Sequence, residues 1–379
     1  MALKTGMKTQ EQSEKLIFDP GEYYRSLLAD IDLAHEEIIL ETYLFRLDEL
    51  GQQFLSALIA ASSRGVRIRL LVDGVGSYYD ANEIADRLES PNCQVRIFHP
   101  LPWDFSAYRR GLTSGRWYSQ MLHSLARINR RNHRKLCLID EHIAWLGSYN
   151  ISADHFNRTL HNSDDNWHDT GLRVMGPIVP ELKRNFEEVW HRKGGSIAYR
   201  ARNFLSNNSI RARRRRNRRL IGILQEATER IWITNAYFNP SPRLLKTLKA
   251  AARKGVNVRV ITPSHSDVLF FPSLSRTYYV DLLGAGIQVF ELEIRVLHSK
   301  TMLIDNQALV GSTNLNYRSF FHDLELDALL NKKESVQCLQ EKFCADIKDC
   351  SEITLAHWQD YPWLLKMLGW ISRIIRYWI

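Results

Sequence analysis

A chain of 379 residues with 45% hydrophobic and 25% charged residues has the makings of one large or two ordinary folded domains, which excludes a disordered chain. The 51 Lys and Arg against 42 Asp and Glu leave a net charge of +9, which favours a phosphate-rich partner: nucleic acid, an anionic membrane surface or a phosphorylated substrate. Five cysteines (Cys93, Cys137, Cys338, Cys344, Cys350) are odd in number and lack zinc spacing, which argues against a disulfide framework and for reduced thiols in a cytosol-facing protein.

The opening residues, MALKTGMKTQEQSEKL, contain no apolar signal-peptide core, so secretion is not expected. No apolar run reaches the length of a spanning helix, so no bilayer crossing is expected. Residues 34–74 then set the pattern for the chain. EIILETYLF is a short apolar run suited to a buried strand. LGQQFLSALIAASSRG carries apolar residues at helical spacing, and Gly65 stops it. VRIRLLVDG is a second strand. A parallel strand–helix–strand crossover is the natural reading.

Residues 101–132 interleave aromatic and basic side chains and have no counterpart later, which suits a mouth for a lipid substrate or a cap over a site. Directly after them comes HRKLCLID, residues 133–140, followed by GSYN at 147–150 and by Asp164, Asp165 and Asp169. A polar stretch from about Gly194 leads into RARRRRNRR, residues 211–219. Its charge suits a solvated inter-domain linker, with contact to anionic phosphate as the sharper reading. Residues 227–264 repeat the first unit in RIWITNAYF, LLKTLKAAARKG and VNVRVITPS. HSKTMLID, residues 298–305, repeats the first motif, with GSTN at 311–314 and Glu325 beyond it. The chain therefore divides into a first half over 1–200, a basic linker over 201–218, a second half over 219–350 and an amphipathic tail over 351–379. In that tail Lys366, Gly369, Arg373 and Arg376 fall on one helical stripe and Trp, Leu and Ile cover the rest, the composition of an interfacial helix.

The doubled motif carries the chemistry. Residues two apart on a strand share a face, so His133 projects with Lys135, and His298 with Lys300. Ser148 with Asn150, and Ser312 with Asn314, have the same spacing and are expected to bind phosphate. Asp140 and Asp305 lie five residues past each lysine, at the opposite parity, and are expected to be structural. Aligning TGLRVMG with LDALLN sets Asp169 opposite Glu325 as the carboxylates that orient the two imidazoles, with Asp164 and Asp165 as competitors for the first role. Two histidines, two lysines and two asparagines suit phosphodiester chemistry without a metal or other cofactor. One imidazole attacks phosphorus and the other moves protons, while cationic and amide groups stabilise the phosphoryl oxygens.

HRKLCLID and HSKTMLID together resemble the signature of the phospholipase D superfamily. The text around them, including IILETYLF, WHDTGLRVMGPIV and GSTNLNYRSFFHDLELDALL, is similar to bacterial cardiolipin synthases of the short type without N-terminal spanning helices. The resemblance implies an α/β fold of two similar α/β/α halves about a pseudo-twofold axis, with the active site at their seam. It implies His133 as nucleophile and His298 as acid/base, and a reaction joining two phosphatidylglycerols into cardiolipin and glycerol. A hydrolytic phospholipase D and a nuclease are the alternative outcomes, the latter disfavoured by the apolar tail, so no nucleic-acid partner is expected. The expected location is peripheral, on the cytoplasmic face of a bacterial inner membrane.

Overall fold

The computed structural model describes residues 13–104, 106–111, 129–156, 166–191 and 203–374. Most of the insertion over 101–132, together with Asp164, Asp165 and Arg376, lies outside the described residues.

The first half builds a seven-stranded sheet. Its strands are β1 (Ser13–Ile17), β2 (Glu37–Thr42), β3 (Arg67–Asp73), β4 (Cys93–Phe98), β5 (Leu136–Ile139), β6 (Ile143–Gly147) and β7 (Gly171–Met175). Their order across the sheet is β1-β7-β6-β5-β2-β3-β4. β2 and β3 pair in parallel through the helix Glu49–Ser63, as the apolar runs predict. Every residue of β2 is buried: Ile38, Ile39 and Leu40 enter the core, while Glu37 is paired with Arg69 and Lys183 and Glu41 with Arg134.

The second half builds an eight-stranded sheet from β8 (Phe204–Ser206), β9 (Arg230–Asn235), β10 (Asn257–Pro263), β11 (Gln288–Leu292), β12 (Lys300–Ile304), β13 (Gln307–Gly311), β14 (Leu326–Leu330) and β15 (Cys350–Ile353). Its order, β15-β11-β10-β9-β12-β13-β14-β8, repeats the first sheet strand for strand from β4–β3–β2–β5–β6–β7, with β8 in the place of β1. The internal repeat is thus a repeated topology about a pseudo-twofold axis. One buried cluster takes side chains from both sheets, Leu146 and Leu172 from the first and Leu303, Val310 and Leu326 from the second, so the halves share a core.

The stretch expected as a linker over 201–218 is built into the second half instead. β8 pairs with β14, and the arginine run lies in the helix Ile210–Glu226, capped by Ser209. The charge run does not leave the chain solvated because Leu220, Ile221 and Leu224 bury one helical face. Arg216 joins that face by pairing with Asp327 at 3.1 Å.

Candidate active site

Two short cross-half bridges assemble the centre. Asn132, just before His133, bridges to Leu324, just before Glu325, and the His133 N–H donates to the Leu324 carbonyl at 3.0 Å. Leu297, just before His298, bridges to His168, just before Asp169, and the His298 N–H donates to the His168 carbonyl at 2.9 Å. Each histidine is thereby laid against the carboxylate of the opposite half. His298 Nδ1 is 2.7 Å from Asp169 Oδ1, and His133 Nδ1 is 3.2 Å from Glu325 Oε2. With Nδ1 on the carboxylate side, Nε2 of each ring is the nitrogen left for a substrate.

Burial and the adjacent motif lysine hold both imidazoles below their ordinary range, which favours the neutral ring. Burial by itself pushes Asp169 and Glu325 up. The imidazoles and hydroxyls that hydrogen-bond them outweigh it and keep both carboxyls low and ionised. Lys135 and Lys300 are buried, and each donates to the carbonyl of its own motif histidine. Burial and then the Lys300 ammonium push Lys135 down to about 7, and burial pushes Lys300 down to about 8. Neither lysine is part of the cavity lining; they stand beside the histidines as charge held close by the strand.

The cavity, about 730 Å³, lies between the halves and takes His133, His298, Asn150 and Asn314 into its wall. Both asparagines bury an Oδ1 that has no hydrogen-bond partner among the described residues. The two serines do not join them. Ser148 Oγ donates to Asp169 Oδ1 at 2.6 Å, Ser312 Oγ donates to Glu325 Oε2 at 2.5 Å, and both side chains are fully buried outside the cavity wall. The expectation that they bind phosphate is corrected: the turn that presents each asparagine points the serine inward, where an ionised carboxylate is the nearest acceptor.

Asp140 and Asp305 stand at the hairpins after β5 and β12 with left-handed backbones, φ 52° and 47°. Asp140 accepts the N–H groups of His35, Glu36 and Glu37, and Asp305 those of Thr228, Glu229 and Arg230. Neither reaches the cavity.

The family model described as cardiolipin synthase, phospholipase D-like domain, matches residues 27–190 and 220–347. The chain belongs to that family. A cardiolipin synthase of Alkalihalophilus pseudofirmus is 28% identical over 377 residues, covering 95% of this chain and 71% of that protein. One from Clostridium perfringens strain SM101 is 28% identical over 388 residues, covering 97% and 77%. The crystal structure of phosphatidylserine synthase from Haemophilus influenzae superposes with a TM-score of 0.66 at 13% identity over 97% of this chain and 95% of that one, a likeness of fold.

This member of the cardiolipin synthase family also carries site residues that sequence reasoning does not single out. His155 Nδ1 lies 2.7 Å from Asp169 Oδ2, while its Nε2 accepts the Asn150 N–H at 3.1 Å, which fixes the neutral tautomer with the proton on Nδ1. Asp169 is therefore shared by two imidazoles. His155, Asp169 and His298 bring their ligand-type atoms within 4.8 Å of one another, and their hydrogen bonds make that cluster a carboxylate held between two rings. The pseudo-symmetric position holds Ser319, whose Oγ donates to Glu325 Oε1 at 2.5 Å. His155 follows Asn150 by five residues and Ser319 follows Asn314 by five, but the differing residue types hide the repeat from a pattern search. Tyr43 and Tyr237, at matching ends of β2 and β9, flank the lysines with ring centroids 5.5 and 5.8 Å from Nζ. That pair is visible in the sequence as a repeated tyrosine after each strand.

Proposed function

We propose that the protein is a phosphatidyltransferase of the cardiolipin synthase kind, acting through a phosphohistidine. The observation that carries this reading is the crossed pairing of two buried imidazoles with two ionised carboxylates at one cavity, alongside two lysines and two asparagines in the cavity wall. His133 is the proposed nucleophile. Its Nε2 lone pair forms the P–N bond while the P–O bond to the glycerol headgroup of phosphatidylglycerol breaks. The bound phosphodiester anion, added to ionised Asp169, offsets the burial of His298 and favours its imidazolium, which gives its Nε2 proton to the departing alkoxide. His298 then takes the proton of a second phosphatidylglycerol hydroxyl. That oxygen attacks phosphorus, the P–N bond breaks, and the products are cardiolipin and glycerol. His298 Nδ1 faces Asp169 at 2.7 Å, whereas His133 Nδ1 is shared between the Ser312 carbonyl at 3.1 Å and Glu325 at 3.2 Å. The closer carboxylate supports this order, because an imidazolium needs the nearer anion and a nucleophile does not.

Lys135 and Lys300 are proposed to stabilise the phosphoryl oxygens by charge, and Asn150 and Asn314 by donating a hydrogen bond from the side-chain Nδ2. Asp169 and Glu325 hold the rings, and Ser148 and Ser312 hold those carboxylates. The proposed location is the cytoplasmic face of a bacterial inner membrane, held peripherally. A net charge of +9, five free cysteines and no helix among the described residues long and apolar enough to cross a membrane accord with it. The proposed organisation is two catalytic halves, the second taking in β8, the arginine helix and β15, with a membrane-facing tail after β15.

Labelled phosphatidylglycerol followed by lipid chromatography tests the reading. Cardiolipin with released glycerol is the expected result, and phosphatidic acid alone makes the protein a hydrolase. No lipid product alongside cleavage of nucleic acid overturns the lipid reading. Either His133→Ala or His298→Ala is expected to abolish turnover.

A further inference from the structure

The helix Trp363–Ile374 is amphipathic in the reverse sense for a protein surface. Gly369 and Ser372 are buried beneath it, and Arg373 lies half-buried with its guanidinium 4.7 Å from the Tyr278 ring centroid. The small and polar stripe is the one that docks. Gly369 permits the close approach, since a Cβ there would stand 2.3 Å from the Ser273 carbonyl oxygen. Trp363, Leu364, Met367, Leu368, Trp370, Ile371 and Ile374 all face outward, between 41% and 81% exposed. At 100° per residue they span about 160° of the circumference. An ordinary surface helix turns such an arc onto the core.

The seat of this helix is also part of the site. It packs on the helix Phe271–Arg276, and Phe271 lines the seam cavity together with Val268 and Phe270. Between those last two cavity residues Leu269 is 90% exposed. The exposed leucine thus sits between residues of the cavity wall, and the helix that carries the apolar arc packs on the helix that Phe271 begins. Cations border the arc: Lys366 Nζ lies 5.3 Å from the Trp358 ring, and Arg373 lies 4.8 Å from the Trp370 ring. Tryptophan and cations around an aliphatic face are the chemistry of the headgroup layer. The twelve described residues make a rod of about 18 Å, shorter than a hydrocarbon core of about 30 Å.

We propose that this outward apolar arc, with Leu269, lies in the headgroup–acyl boundary of an anionic bilayer and sets the seam cavity beside the lipid it draws on. The inference rests on the lipid-transfer reading for its purpose but not for its test. Vesicles of phosphatidylglycerol and phosphatidylcholine are sedimented with the wild-type protein and with a Leu364→Glu, Met367→Glu, Ile371→Glu variant. Turnover of a short-chain phosphatidylglycerol kept below its micelle concentration is measured in parallel.

The expected result is vesicle affinity lowered by about tenfold or more in the variant. Turnover of the monomeric lipid is retained, because none of the three side chains lines the cavity. Unchanged vesicle affinity overturns the proposal, as does a wild-type protein that does not bind vesicles. A wild-type dimer that the variant dissociates, with vesicle binding intact, assigns the arc to a second copy of the chain and overturns it equally. Vesicle binding lost in the variant with no turnover by either protein supports the docking surface and removes the transferase reading. Should the triple variant not fold, Trp363→Ser with Ile374→Ser, both strongly exposed, gives the same readout.

Discussion

At the scale of single residues, the doubled motif makes the histidines and lysines legible at one offset and the asparagines at nearly one, whereas the carboxylates, an Asp and a Glu at different distances from their motifs, emerge only when the strands that follow are aligned. What it does not convey is the direction of the serines, which depends on the turn that carries them, or the exchange of His155 for Ser319. His155 is a positioning residue. His155→Ala removes a donor from an ionised, buried carboxylate and is expected to lower kcat by about 10- to 100-fold with KM little changed. His155→Gln, which keeps an amide donor, is expected to recover part of that loss; equal loss in both variants would mean that the hydrogen bond to Asp169 does not position the site. The lysines set a pH limb. Their charge is present below about 7 for Lys135 and about 8 for Lys300, and it is lost above. A profile of kcat/KM is therefore expected to fall as pH rises through that window, and a flat profile to about pH 9 contradicts their charged role.

At the scale of elements, apolar runs and glycine stops locate the parallel crossovers, and the parity argument separates Asp140 and Asp305 from the cavity. The arginine run misleads because charge density alone does not show which arginine finds a buried acid. In the helix Ile210–Glu226 that residue is Arg216, whose guanidinium meets Asp327 and the Thr313 hydroxyl between buried aliphatic neighbours. Arg216→Ala strands a buried carboxylate and is expected to cost about 3–5 kcal/mol of stability, read by denaturant unfolding. Exposed Arg214→Ala, two residues away, is expected to stay within about 0.5 kcal/mol. Equal effects at the two positions would return the run to the solvated linker it resembles in sequence.

For the whole molecule, the repeat foretells two like halves but not how closely they depend on each other. That dependence comes from pairings between residues more than a hundred positions apart, which no local pattern encodes. Leu324 and His168 are hydrogen-bonded across the seam, each histidine finds its carboxylate in the other half, and one core cluster is shared by both sheets. Neither half can then keep its site when the other unfolds. Separating them exposes the shared core to water, leaves Glu325 without His133 and takes His298 from Asp169. Thermal unfolding is accordingly expected to be one cooperative transition, with calorimetric and van't Hoff enthalpies in agreement and activity lost at the same temperature as secondary structure. Two resolved transitions would mean that each sheet is stable on its own core and that the seam contributes little to holding the site together.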